Sequence, residues 1–171
     1  MIDLESFTAR LSSDAETIRS LVQGVSEEQA RWKPAPEEWS ILEVINHLYD
    51  EEREDFRQRL DFTLHRPGQP WPDIDPQGWV VERSYNERDL QESLAGFVEE
   101  RQRSVAWLKG LPSLDWEACH EHPKWGEFST GTLMVSWLAH DLLHIRQLTV
   151  LHWEYLSRLA KPYSTDYAGT W

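Results

Sequence analysis

Apolar residues recur at helical spacing in four segments of this chain. In the first, Leu4, Phe7, Leu11, Ala15, Ile18, Val22 and Val25 step by three or four residues and draw one apolar stripe along a helix. Gly24 and Ser26 break it, and Ser26 with Gln29 reads as the cap of a short following turn. The second segment opens on Ser40-Ile41-Leu42-Glu43, a capping box in which the hydroxyl accepts from an exposed backbone N–H and the glutamate accepts from the N–H of the cap. Ile41, Val44, Ile45, Leu48 and Phe56 form its apolar side, which predicts a helix to about Leu64. Pro67, Gly68, Pro70, Pro72 and Pro76 forbid continuation. A third helix is expected to open near Ser84 to Glu87, a second S-x-x-E box. It carries Leu90, Leu94, Phe97, Val105 and Leu108 and ends at Gly110 and Pro112. The fourth runs from Ser129 or Thr130 to about Arg158.

Two connections are long. The stretch from His65 to about Arg83 shows no helical pattern and is rich in proline. A helix of ~25 residues is ~37 Å long, and ~18 extended residues reach ~60 Å. This stretch can therefore carry the chain back along the bundle and set the second and third helices parallel. The prediction is an all-α, up-down-down-up four-helix bundle with a long crossover between helices 2 and 3, built as one domain over residues 1–171. The second connection, Leu111 to Phe128, is also too long for a plain hairpin.

Charge narrows the partners. The formal net charge of −13 argues against nucleic acid, which needs clustered Lys and Arg, and against anionic membranes; it suits attraction for cations. No apolar run approaches the ~20 residues of a membrane span. Residues Met1 to Arg10 carry no basic region followed by an apolar stretch, so no signal peptide is expected. The single cysteine, Cys119, excludes an internal disulfide and fits a reducing cytoplasm. Ten tryptophans are more than the inward stripes can hold. Several are expected to plug the ends of the bundle; Trp71, Trp79, Trp116, Trp125, Trp153 and Trp171 fall in the long connections or near the C-terminal end, where they could meet a second subunit or close over a pocket.

The fourth helix carries the chemistry. On its stripe of Leu133, Trp137, His140, His144, Leu148, Leu151 and Tyr155, two histidines hold central inward positions. Rings four residues apart lie on one face about a turn apart and can bind one metal ion, although the same spacing also suits two hydrogen-bonded core histidines. His47, beside Val44 and Leu48 on helix 2, supplies a third. Three buried imidazoles are hard to hydrogen-bond separately, whereas one ion takes a nitrogen from each. Glu51, one turn after His47, offers a fourth ligand, a base for metal-bound water, or only a solvated partner for a Lys or Arg. Asp141 and Gln147 suit a supporting role around the ligands. Arg101 falls on the inward stripe of helix 3, where it either anchors an anionic substrate group or packs its stem with the head in water. Cys119-His120-Glu121-His122 resembles a soft-metal cluster but lacks a matching Cys/His pair elsewhere. His65 and His152 read as surface residues.

Three pieces of the chain are similar to one known family. Glu38-Trp39-Ser40-Ile41-Leu42-Glu43-Val44-Ile45-Asn46-His47-Leu48 resembles its W-S-x-x-E-x-x-x-H-L helix; His122-Pro123 through Gly126, Ser129 and Thr130 resembles its H-P-x-x-G-x-x-T approach; and Trp137 to Leu148 resembles its A-x-H-x-x-H-H-x-x-Q-I helix. The family is the DinB/YfiT-like superfamily of metalloenzymes, in its DinB_2-type branch. One departure is Leu143, which stands where many members repeat a histidine. The resemblance implies the up-down-down-up bundle and a three-histidine site at His47, His140 and His144. It implies zinc or nickel as the divalent ion and, in many members, a homodimer. It further implies a small-molecule substrate and a metal-dependent enzyme that activates a thiol or water, as thiol transferase or hydrolase, with a low-molecular-weight thiol as one partner. A non-catalytic, metal-binding or stress-associated bundle is the alternative.

Overall fold

Local capping starts the helices of the computed structural model, which describes residues 3–124 and 126–169. Helix α1 (Leu4–Val22) begins where the Asp3 carboxylate accepts from the Ser6 N–H at 2.7 Å. After the short α2 (Glu27–Arg31), the predicted capping box opens α3 (Ile41–Glu51): the Glu43 N–H donates to Ser40 at 3.1 Å, and the Ser40 N–H donates back to Glu43 at 2.7 Å. A π-turn over Glu52–Phe56 joins α3 to α4 (Arg57–His65), and together they make the second long helix. The third is α6 (Leu90–Lys109) and the fourth is α7 (Thr130–Leu159).

Side-chain pairs give the directions. Ser93 donates to Asn46 and Arg57 donates to Glu100, so residue numbers rise together and the second and third helices run parallel. Phe7 packs on Trp137 and Leu21 accepts from His152, so the first and fourth are parallel too. His47 meets His144 while Glu52 meets Trp137, so the second and fourth are antiparallel. The order is up-down-down-up.

Three sequence expectations are corrected. The crossover contains a helix, α5 (Pro76–Glu82), opened by Pro76 in its first turn and by an Asp75 cap on the Gly78 N–H. The third helix does not start on the Ser84 box. Ser84 adopts φ 49, left-handed, and leads into a 3₁₀ turn at Tyr85–Glu87, so the extended backbone of an N-cap falls to Asp89, whose carboxylate accepts from the Glu92 N–H. The second connection, given no element by the sequence and judged too long for a plain hairpin, holds a β-hairpin: β1 (Cys119–His122) pairs antiparallel with β2 (Gly126–Ser129), Cys119 opposite Ser129 and His122 opposite Gly126, and Gly126 supplies the positive φ of 78°.

Among the described residues the core has two large apolar clusters, besides a small one of Trp79, Val80 and Tyr85. One gathers Ile18, Ile45, Phe97 and Leu148; the other gathers Phe7, Leu60, Leu108 and Trp137. Between them runs a polar layer, to which each long helix contributes: the Leu11 carbonyl, Glu52, Arg101 and Asp141. The tryptophans left free for a subunit interface or for closing a pocket pack largely within the chain. Trp71 and Trp79 are buried and Trp116 and Trp153 half-buried, while Trp125 and Trp171 lie outside the described residues. Leu142, Leu143, Leu156 and Leu159 on α7 are the large apolar side chains left exposed there together with Val135. No helix among the described residues is long and apolar enough to cross a membrane.

Candidate metal centre

His47 projects from α3, and His140 and His144 project from successive turns of α7, so the antiparallel pairing of these helices brings the three rings together. The Nε2 atom of His140 lies 3.2 Å from that of His47 and 3.1 Å from that of His144. Among the described residues these three histidines form a cluster that could hold a metal ion.

This arrangement fits a divalent ion better than it fits hydrogen bonding. Nitrogens held ~2.1 Å from one ion at tetrahedral or octahedral angles lie roughly 3.0–3.4 Å apart; the two pairs that share His140 are at that spacing, and all three ligand atoms lie within 4.8 Å of one another. Gln147 Oε1 accepts from His144 Nδ1 at 2.8 Å, which leaves the Nε2 of His144 with a lone pair facing the other rings. The Nδ1 of His47 is buried with no hydrogen-bond partner. Burial, and the neighbouring His140 after it, push the pKa of His47 and of His144 down to about 3, so both are neutral donors near pH 7.

Glu51 stands beside the three rings. It is buried, and its Oε2 lies 3.1 Å from His140 Nε2 and 3.9 Å from His47 Nε2. The solvated surface partner that the sequence also allowed is thereby overturned, because the carboxylate sits on the histidine face of a buried helix. A cavity of about 840 Å³ opens onto the three rings, with Trp39, Phe56 and Phe128 among its walls. The Trp39 ring lies parallel to that of His144 and tilts over His47 at 4.8 Å between centroids. Carboxylates outnumber cations around it: Glu37, Glu38, Glu51, Asp55 and Glu154 face it beside Arg59. Asp55 is paired with Arg59 at 2.7 Å, yet burial dominates and pushes its pKa up to about 6.

Some sequence readings land elsewhere. Arg101 neither anchors a pocket ligand nor reaches water: it is 2% exposed and bound to Asp141 and Glu52. Asp141 faces that arginine, not a ligand histidine, because its side chain leaves α7 toward the core. His152 is half-buried, bonded to the Leu21 carbonyl and to Gln29, so it is no surface residue; His65 is exposed as expected. His120 and His122 pack on Trp71. Asp55, Arg59 and Trp39 escaped the sequence reading as pocket residues, although Asp55 and Arg59 continue the four-residue step from His47 through Glu51 and were legible on that ground.

A family model described as the DinB superfamily matches residues 10–148. The chain belongs to the DinB superfamily. No curated protein matches it. Among solved structures it is similar to YfiT from Bacillus subtilis, described as a probable metal-dependent hydrolase with an unusual four-helix bundle topology. The TM-score is 0.78 at 19% identity, over 93% of this chain and 90% of that one. Within the superfamily pattern, the departure at Leu143 subtracts nothing from the site: Leu143 is 61% exposed and does not line the cavity.

Proposed function

We propose that this DinB-superfamily chain is a metal-dependent enzyme in which His47, His140 and His144 hold one zinc or nickel ion. The observation that carries the reading is the convergence of three Nε2 atoms on the wall of an open cavity. A buried structural site would instead be closed by a fourth side chain. The ion, when bound, supplies Lewis acidity that lowers the pKa of a coordinated water or thiol toward neutral.

The chain's own residues supply the rest. Gln147 holds His144 in the tautomer that leaves Nε2 free. Glu51, beside His140 and facing the cavity, is placed to take the proton released by the nucleophile. Trp39 and Phe56 flank the rings and limit water around them. The excess of carboxylates attracts a dication. Hydrolysis is favoured by the description of YfiT; the thiol-transfer alternative, with a low-molecular-weight thiol, rests on the sequence motifs. A cytoplasmic protein with a small-molecule substrate fits the single exposed cysteine and the cavity.

The test is elemental analysis of protein purified without a histidine tag, followed by hydrolytic substrates and pairs of small thiols with electrophiles. One equivalent of metal is expected in the wild type and little in His144→Ala. A variant that keeps stoichiometric metal would refute the ligand set, and a loaded protein inert in both screens would favour a non-catalytic metal-binding bundle.

A further inference from the structure

The polar layer through the middle of the bundle is not used by the chemistry above, and its centre is one side chain. Arg101, from α6, donates to the other three long helices at once: to the Leu11 carbonyl of α1 at 2.9 Å, to both oxygens of Asp141 on α7 at 2.6 and 2.8 Å, and to Glu52 in the π-turn at 2.9 Å. Arginine, Asp141 and Glu52 are each at most 2% exposed. Trp137, one turn before His140, donates to the same Glu52 oxygen at 3.0 Å.

Stability alone explains this layer poorly. Desolvating three charges consumes most of what their attraction returns, and apolar replacements of similar volume often do as well or better. The layer also leaves loose ends, since Glu52 Oε1 and a carboxylate oxygen of nearby Asp14 are buried without hydrogen-bond partners. What an arginine fork adds over apolar packing is direction: two parallel bonds fix the angle as well as the distance between the groups it joins.

Those groups are the chain neighbours of the metal site. Asp141 follows His140, and Glu52 follows Glu51. The other neighbour of Glu51 is tied down as well: Asp50, fully buried, accepts from Tyr85 at 2.6 Å, Arg83 at 2.6 Å and Arg53 at 2.7 Å. Of three consecutive acidic residues, the outer two are held by arginines on opposite sides and the middle one faces the histidines. The π-turn begins at Glu52, and such turns frequently accompany functional sites.

We infer that Arg101 is a positioning residue for the three-histidine centre, locking the helix that carries His140 and His144 to the π-turn that follows His47 and Glu51. The inference rests on the metal reading proposed above. Arg101 does not line the cavity, so its effect on the site runs through Asp141 and Glu52.

The experiment uses cobalt(II) as probe in the full-length chain, with Arg101→Lys, Glu52→Gln and Asp141→Asn compared with wild type. Lysine keeps the charge and loses the fork, while the two amides keep shape and lose charge. Each variant is read for cobalt affinity by competition with a chelator, for the ligand-field absorption bands, and for helix content. Partners that orient metal ligands typically contribute 10–100-fold in affinity, so a loss of about tenfold with shifted bands is expected in variants that retain wild-type helicity. Glu52→Gln, which leaves the Arg101–Asp141 fork in place, serves if Arg101→Lys does not fold. Folded variants with lower melting temperatures but wild-type affinity and bands would overturn the inference and leave Arg101 a structural residue. Wild-type protein that binds no cobalt would overturn the metal reading and this inference with it.

Discussion

Removing one site histidine should flatten the acid sensitivity of the metal-free protein. His47 and His144 have folded pKa values of about 3 against 6.5 in an unfolded chain, because burial disfavours the charged ring. The unfolded chain therefore takes up the proton first, and stability falls as pH drops below 6.5. Between about pH 7.5 and pH 5 each of the two rings costs about 2 kcal/mol, an amount set almost wholly by the unfolded value. Asp55 works the other way. Its folded pKa of about 6 lies above 3.8, so protonation on acidification favours the folded state and offsets about 1 kcal/mol over the same range. His144→Gln removes one ring's share and leaves Asp55 in place. Urea titrations in a chelator at the two pH values should show the variant losing about 2 kcal/mol less than wild type. Equal losses in the two proteins would mean that His144 is not held neutral in the folded chain, and the argument for a neutral donor set would fall with it.

Other outcomes follow from the same structure. Saturating zinc should raise unfolding stability by RT ln(1 + [L]/Kd), ~4 kcal/mol at a thousandfold excess over Kd, and this gain should vanish in His47→Ala as read by thermal unfolding. Trp137→Ala should destabilise by roughly 3–5 kcal/mol, since the ring is 1% exposed and its Nε1 holds Glu52; a loss under 1 kcal/mol in urea would contradict its place in the core. Ser40→Ala should cost about 1 kcal/mol by removing the cap of α3, with helix content at neutral pH retained. The homodimer proposed from the sequence motifs would use the exposed Val135, Leu142 and Leu156 of α7, and light scattering should then report twice the 20.2 kDa chain mass; a monomer at micromolar concentration would end that proposal.

The local rules of the chain are strong where they depend on neighbours a few residues away. The stripes of all four long helices, the Ser40–Glu43 capping box and the inward pairing of His140 with His144 were legible because helical periodicity and capping are set within one or two turns. The parallel course of helices 2 and 3 was legible for another local reason: the length of the proline-rich stretch admits the crossover. The same logic misled at Ser84, where an S-x-x-E pattern is present but the residue is left-handed at the end of α5 and the cap of the long helix falls to Asp89. The hairpin at Cys119–Ser129 and the short α5 were missed because four- and seven-residue elements carry little periodicity.

Tertiary structure alone decided which polar residues do what. Nothing in the order Asp50-Glu51-Glu52 says that the first meets Arg83 and Tyr85, the second His140 and the third Arg101, because those partners lie tens of residues away and are chosen by helix packing. The π-turn after Glu51 has no sequence mark, and one inserted residue changes which side chains face the histidines and which face the core. Periodicity assigned Arg101 to the inward face correctly, but only the packed bundle shows that the inward face at that level is a charged layer joining four helices. Sequence distance measures spacing along one helix; the distance between His47 and His140, 93 residues apart and 3.2 Å between nitrogens, is set by how two helices cross.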